Sequence, residues 1–341
     1  MRGGCRIRGR STLNHGAARY LAVSTLETGT ARLSFCELDL ESAAALRQLH
    51  QRDPRWNWIC ALYPSLWLLS AWLMNLYPIW PVEVAGVIVI AVSIQAMAIL
   101  MHEALHRNLF RRSSPDRWAA FLLAIPAFFS GTAYKIAHVN HHKHTRTSLD
   151  QDEISNFCRS SEQYRVLFYV YFAAGTFLYF FIVPWKALSI ASAAERHRIL
   201  GEYSAMFGVY AALIATAVFF GRGSWLLIYW LIPAQFAMLL SNVRMLAEHL
   251  CTERASVISR TRTTTSNGLV SFLMCNLNYH LEHHLFPGIP WYNLRKAHRI
   301  LMPIYSKTGV AHIERSYVRY ALRAFRGGPF HEIRGDLSID A

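Results

Sequence analysis

Ten of the 16 histidines lie in four short stretches, and their spacing is typical of metal ligands. Residues 102–106 have the sequence H-E-A-L-H, residues 138–142 have H-V-N-H-H, and residues 280–284 have H-L-E-H-H. Positions i, i+3 and i+4 of a helix share one face, so each of these boxes can direct two or three imidazoles to one point. His249 is a further candidate ligand, whereas His144 is not expected to be one.

The number of these histidines indicates two metal ions. Imidazole suits zinc, copper, iron and nickel, so the residue type alone leaves the metal open. A tetrahedral zinc takes four ligands, whereas eight or nine histidines suit two six-coordinate ions with positions left for oxygen or water. The other six histidines are expected to be ordinary core or surface residues: His15, His50, His197, His298, His312 and His331.

Two other kinds of metal protein fit part of this pattern. The first box also matches H-E-x-x-H, in which Glu103 would be the general base of a membrane-embedded zinc protease. That hypothesis leaves the other two boxes unexplained. A metal transporter would place its ligands along a path near the bilayer midplane, whereas these histidines cluster at the ends of apolar segments.

Six apolar segments could position the boxes, since about 20 apolar residues cross a bilayer. They are residues 58–77, 84–101, 118–133, 166–185, 203–220 and 224–243. Basic residues are concentrated in loops 102–117 and 186–202, whereas 78–83 has none. Because basic loops stay in the cytoplasm, segments one, two, five and six are predicted to span as two hairpins.

Segments three and four are predicted to lie in the interface or to dip and return. Segment three is short and is broken by Pro126. Six full spans would put loop 102–117 and residues 134–165 on opposite faces and so separate the first two boxes. The fold class predicted is an all-α integral membrane protein with about four transmembrane helices, interfacial helices and a cytoplasmic helical cap.

Composition excludes several classes. The chain of 341 residues carries 35 Lys and Arg against 21 Asp and Glu, a net charge of +14, yet 53% of it is hydrophobic. This is too apolar for a disordered chain or a soluble nucleic-acid binder, so no nucleic-acid partner is expected. The six cysteines form no C-x-x-C pair, and a reduced chain without a disulfide framework is predicted.

Three regions are predicted along the chain. Residues 1–45 form a flexible basic arm, 46–315 the membrane domain and 316–341 a C-terminal tail. Residues 1–26 contain five Arg and no acid, a composition that loosely resembles an organelle transit peptide. A flexible cytosolic arm is the favoured interpretation.

The three boxes, in this order and interleaved with apolar hairpins, resemble those of the membrane-bound fatty acid desaturase superfamily over roughly residues 58–305. The resemblance implies a non-haem di-iron centre on the cytoplasmic side, with O2 as co-substrate. The iron ligands implied are His102, His106, His138, His141, His142, His280, His283 and His284. A further histidine often completes the set, and His249 occupies about that place.

The activity implied is O2-dependent desaturation of an aliphatic chain, with a fatty acyl chain as the expected substrate. Hydroxylation of a lipid or carotenoid, and desaturation of a small metabolite, stay open. The electron donor implied is a ferredoxin or small haem protein with its reductase, and the expected location is a bacterial inner membrane. A basic stretch could dock the donor, although positive-inside bias is the favoured explanation of it: Arg260, Arg262, Arg295, Lys296 and Arg299.

Polar residues near the boxes are expected to orient the imidazoles through their second ring nitrogen. A solvated loop charge or a helix cap is the alternative for each acid. The candidates are Glu103, Asp150, Asp152, Glu153, Glu248, Asn276, Asn278 and Glu282.

Overall fold

The structure is a computed structural model that describes residues 38–110, 113–150, 152–250, 252 and 256–329. Most of the predicted basic arm and the end of the predicted tail lie outside these residues. The choice between a transit peptide and a cytosolic arm therefore falls outside the described chain.

Within the described residues the fold consists of α-helices and one two-stranded parallel sheet. The helices are α1 Leu40–Leu49, α2 Ile59–Leu76, α3 Trp80–Leu105, α4 Ser113–Ala124, α5 Gly131–His144, α6 Ser161–Ile190, α7 Ala193–Phe219, α8 Gly223–Leu226, α9 Ile232–His249, α10 Gly268–Leu273, α11 His280–Leu285, α12 Leu294–Thr308 and α13 Tyr317–Gly327. Strands β1 Arg262–Thr264 and β2 His312–Glu314 pair in parallel.

Five helical stretches among the described residues are long and apolar enough to cross a membrane: Pro54–Leu76, Trp80–Leu105, Ser161–Ile190, Ala193–Phe219 and Gly223–His249. A π-helical turn, Leu227–Leu231, joins α8 to α9 inside the last of them. These stretches cover five of the six predicted apolar segments. The predicted all-α membrane class is confirmed.

The third apolar segment is bent, as its proline predicts. A short 3₁₀ turn at Ile125–Ala127 follows α4, and Phe128 adopts a left-handed backbone conformation with φ 56°. The helical stretches Ser114–Ala127 and Gly131–His144 meet at an angle of 97°. Because the chain turns back here, α5 carries the second box towards the end of α3.

Helix α6 contains the fourth segment and is long enough to span, so five helices rather than four meet the length and composition criteria. Near its start, Tyr164 shares a buried cluster with Leu246 of α9. Its last residue, Ile190, lines a cavity with Arg107 and Lys143. Both ends of α6 therefore lie beside the ends of helices that carry histidines. This arrangement favours a position of α6 in the membrane interface over one that spans the membrane. Four spans with α6 in the interface stays a prediction.

The two ends of the described chain are more ordered than the predicted boundaries imply. Helix α1 begins inside the predicted arm, capped by Asp39. Helix α13 lies inside the predicted tail and packs on α9, where the buried Tyr320 donates a hydrogen bond to the Leu246 carbonyl over 2.9 Å. Residues 317–327 of the predicted tail thus form a helix that buries Tyr320 and Ala324.

Candidate metal centre

Four elements bring all nine predicted ligands to one place. The end of α3 carries the first box, α5 the second, the last residue of α9 is His249, and α11 carries the third. Five of the nine histidines form one group whose ligand nitrogens lie within 4.8 Å of one another, and short nitrogen–nitrogen distances connect the other four into a second group. His144, which was not expected to be a ligand, belongs to neither group.

Group one contains five histidines: His102, His106, His138, His142 and His283. Its centre is Nε2 of His138, which lies 2.8 Å from Nε2 of His102 and 3.0 Å from Nε2 of His106. Nε2 of His142 is 2.8 Å from the same atom. Nε2 of His283 lies 3.2 Å from that of His142. All three boxes therefore contribute to group one.

Group two contains the other four histidines: His141, His249, His280 and His284. Nε2 of His280 lies 2.8 Å from Nε2 of His249 and 3.0 Å from Nε2 of His284. His141 joins the same cluster, with a ligand atom within 4.8 Å of those of His249 and His284. Group two thus draws on the second box, the third box and α9.

These distances suit ligands of a cation better than a hydrogen-bond network. A neutral imidazole has one N–H and one lone pair, so Nε2 of His138 cannot satisfy three ring nitrogens at once. Neighbouring ligands about 2.1 Å from a six-coordinate metal lie about 3 Å apart, the spacing observed. Among the described residues, the buried Nε2 of His141 has no hydrogen-bond partner. The residues therefore fit two metal ions.

Three carboxylates face the second ring nitrogens of two imidazoles in group two. Nδ1 of His141 lies 2.9 Å from Oδ1 of Asp150 and 3.5 Å from Oδ2 of Asp152. Nδ1 of His280 lies 3.4 Å from Oε2 of Glu248. Such partners fix the tautomer of a ligating histidine and raise its basicity. The role predicted for Asp150, Asp152 and Glu248 agrees with this placement.

Glu248 is itself held by two neighbours that the sequence did not indicate. Arg244 donates to Oε2 of Glu248 over 2.6 Å, and the Tyr317 hydroxyl donates to Oε1 over 3.0 Å. Arg244 precedes Glu248 by one helical turn, a spacing that could have suggested the pair. Tyr317 comes from α13, so only the folded chain reveals it.

The acids inside the first and third boxes connect these boxes to other segments of the chain through hydrogen bonds. Glu103 is fully buried; it accepts the Trp291 backbone N–H over 2.9 Å and an Asn108 side-chain N–H over 3.3 Å. Glu282 accepts Nδ1–H of His298 over 2.7 Å and the Thr263 hydroxyl over 2.5 Å. His298, expected to be an ordinary residue, therefore supports the third box.

Three other candidates lie away from the ring nitrogens. Glu153 forms a buried ion pair with Arg146. The Asn278 side chain donates to the Thr264 carbonyl over 2.7 Å. Asn276 has a left-handed backbone conformation with φ 50°. These three residues shape the loops that carry the boxes.

Burial and mutual repulsion keep the third box neutral. Burial, followed by nearby imidazoles, holds the pKa of His280, His283 and His284 well below the ordinary value. Burial also raises the pKa of Asp152 to about 6, with the neighbouring Asp150 adding to the effect. Although burial opposes it, the His141 imidazole lowers the pKa of Asp150. Neutral imidazole is the form that binds metal.

An apolar cavity of about 400 Å³ adjoins the histidines. It lies between the bend after α4, α6, α7 and α9. A smaller chamber of about 70 Å³ is lined by His102, His138, His141, His249 and His280. Gln95, Ala98, Phe129, Thr176 and Ser241 line both spaces. The apolar cavity and the chamber at the histidines are therefore adjacent.

Comparison with known proteins identifies the family. The fatty acid desaturase family profile matches residues 78–316. Dihydrorhizobitoxine desaturase of Bradyrhizobium elkanii is 26% identical, over 68% of this chain and 72% of the relative. An sn-1 oleoyl-lipid 12-desaturase of Arthrospira platensis is 24% identical over 62% and 64%, respectively. A sphingolipid delta(4)-desaturase/C4-monooxygenase of Homo sapiens is 23% identical over 76% and 78%. The chain therefore belongs to the fatty acid desaturase family.

Proposed function

We propose that this protein is an O2-dependent non-haem di-iron desaturase that forms a carbon–carbon double bond in an aliphatic chain, with the acyl chain of a lipid as its substrate class. The observation that carries the proposal is the convergence of nine histidines, which we divide into two groups, close to an apolar cavity. One iron belongs to each group. Bound iron would activate O2, and this activation is what the removal of hydrogen from an unactivated C–H bond requires.

The overall reaction balances only with external electrons. Removal of two hydrogens with one O2 yields two waters and consumes two further electrons and two protons. We propose a ferredoxin or small haem protein as their source. Arg295, Lys296 and Arg299 are exposed on α12 and could attract an acidic donor. Arg262 is unsuited to docking, because it is buried and donates to the Ala247 carbonyl over 2.6 Å.

The cavity supports an aliphatic substrate. Its lining is mostly aromatic and aliphatic, with Phe128, Phe180 and Trp230 among its walls. Ligand sites of this kind orient a substrate with a few polar groups in an apolar pocket. Gln95 and Thr176 line both the apolar cavity and the histidine chamber. A chain lying in the cavity would present one methylene pair to the metal groups, which selects the bond that reacts.

The position of Glu103 disfavours a zinc protease. A general base must reach the water it activates. Glu103 is fully buried, and its Oε2 accepts hydrogen bonds from Trp291 and Asn108. Two histidine groups also exceed what one zinc requires.

Hydroxylation is the second candidate, because one relative carries both desaturase and C4-monooxygenase in its name. The two outcomes differ in whether a second hydrogen is removed or a hydroxyl is delivered. Small changes in substrate position decide between them. We place the reaction on the cytoplasmic face of a bacterial inner membrane, a location supported by the basic residues near the boxes.

The test is reconstitution of the purified protein with iron, a reducing donor system, O2 and a lipid extract. Desaturation yields products lighter by two hydrogens, and hydroxylation yields products heavier by one oxygen. His283→Ala should abolish turnover and lower iron content, while His144→Ala keeps both. Full turnover by His283→Ala, or one zinc per chain with peptide cleavage, would overturn the proposal.

A further inference from the structure

A second cavity, of about 500 Å³, lies next to the segments that carry the first two histidine boxes. Its lining residues differ from those of the apolar cavity. Five basic side chains from four helical segments line it: Arg107, Arg117, Lys135, Lys143 and Arg198. Arg107 directly follows the first box, and Lys135 and Lys143 belong to α5. Among the described residues these five side chains make no salt bridge or side-chain hydrogen bond.

The three acids in the cavity wall are already engaged. Glu202 accepts hydrogen bonds from Ser130 and Thr132. Glu195 closes the capping box of α7 with Ser192, and Asp116 accepts the Phe110 backbone N–H over 3.0 Å. Five cations therefore face three acids that serve internal contacts. The cavity has a surplus of positive charge and free donors.

The surroundings of the cavity are those of a membrane boundary. Arg107 lies just past the end of α3, and Arg198 lies near the start of α7. Apolar side chains share the wall, including Phe121 and Ile190. Trp118 and Ile190 are 65% and 62% exposed beside the basic groups. Basic pockets between helices at this level bind anionic lipid head groups.

We propose that this cavity binds the phosphodiester head group of an anionic membrane lipid, with the basic side chains on the phosphate and the apolar rim along the upper acyl chains. Such binding would fix α4, α5 and α7 relative to one another beside the second box. None of the nine predicted ligands lines this cavity, so the proposal does not rest on the metal assignment.

The experiment titrates the iron-loaded protein in neutral detergent with short-chain phosphatidylglycerol and counts bound lipid by native mass spectrometry. Arg117→Gln/Arg198→Gln should weaken binding at least tenfold, because each cation near a lipid surface contributes roughly a fivefold effect. The control, Arg295→Gln/Arg299→Gln, removes equal charge from α12 and should leave affinity unchanged. Iron content reports whether each variant folds.

Two further arms use the unaltered protein, so a misfolded variant does not end the test. Phosphatidylcholine should bind much more weakly than phosphatidylglycerol, and inorganic phosphate should displace the lipid poorly. Equal binding of phosphatidylcholine would show an apolar groove without charge selection. Displacement by equimolar phosphate would show a site for a free anion, and equal loss in the control variant would show general charge attraction. Each of these three results overturns the proposal.

Discussion

The two histidine groups differ in the residues near the second ring nitrogens of their imidazoles. In group two, carboxylates face Nδ1 of His141 and of His280, at 2.9 Å and 3.4 Å. In group one, Glu103 lies 3.6 Å from Nδ1 of His102, and within the described part of the chain Nδ1 of the buried His283 has no hydrogen-bond partner. In group two, His141 is hydrogen-bonded to a carboxylate and His280 lies near another, whereas the acid of group one is farther from its ring nitrogen.

Two similar sets of histidines can therefore form metal sites that differ in the acids near their ligands. A carboxylate behind an imidazole raises ligand basicity and metal affinity. Group one compensates with a fifth histidine. We therefore expect group two to depend on its acids and group one to depend on ligand number.

Removing one histidine from either group should have the largest effect. His138→Ala removes the central nitrogen of group one, and His249→Ala removes a ligand of group two. Each variant should lose at least one iron per chain and nearly all turnover, measured by elemental analysis and product formation. His144→Ala serves as the control. Retention of two irons by His249→Ala would remove that residue from the site.

Neutralising the acids should separate the two groups. Asp150→Asn and Glu248→Gln should weaken iron retention about 10- to 100-fold, because the ring nitrogens of group two lose their anionic partners. Glu103→Gln should have a smaller effect on retention, since its closer hydrogen bonds go to Trp291 and Asn108. Iron loss during timed chelation measures both. Equal loss in all three variants would mean that the groups are alike.

His298→Leu tests the support of the third box, which serves both groups. The change removes the His298 Nδ1–H group that donates to the buried Glu282. An unpaired buried acceptor costs about 1–3 kcal/mol. Thermal unfolding should therefore shift to lower temperature, with turnover reduced in parallel. His197→Leu, on the exposed start of α7, is the control. An unchanged unfolding temperature would make His298 dispensable.

Tyr317→Phe should have the smallest effect. It removes one hydrogen bond from α13 to Glu248, a contribution of about 1 kcal/mol. Tyr169→Phe is matched, because it removes a hydrogen bond to the Phe325 carbonyl without touching Glu248. Stability should fall similarly in both, whereas only Tyr317→Phe should speed iron loss under chelation. Identical iron loss in the two would contradict a role for Tyr317 behind Glu248.

Local spacing made the boxes predictable, whereas contacts between distant segments did not show in the sequence. The i, i+3 and i+4 pattern places three imidazoles of α5 on one side, and Pro126 marked the bend. The pattern could not assign His141 and His142 to different groups, because that depends on how α9 and α11 approach α5. His298 and Tyr317 lacked any local signal, since their partners are 16 and 69 residues away in the chain.

The most direct test of the account is a crystal structure of the iron-loaded protein with anomalous scattering recorded at the iron edge. Two iron peaks are expected, one among His102, His106, His138, His142 and His283 and one among His141, His249, His280 and His284. A single peak shared by both groups, or peaks at the zinc edge alone, would contradict it.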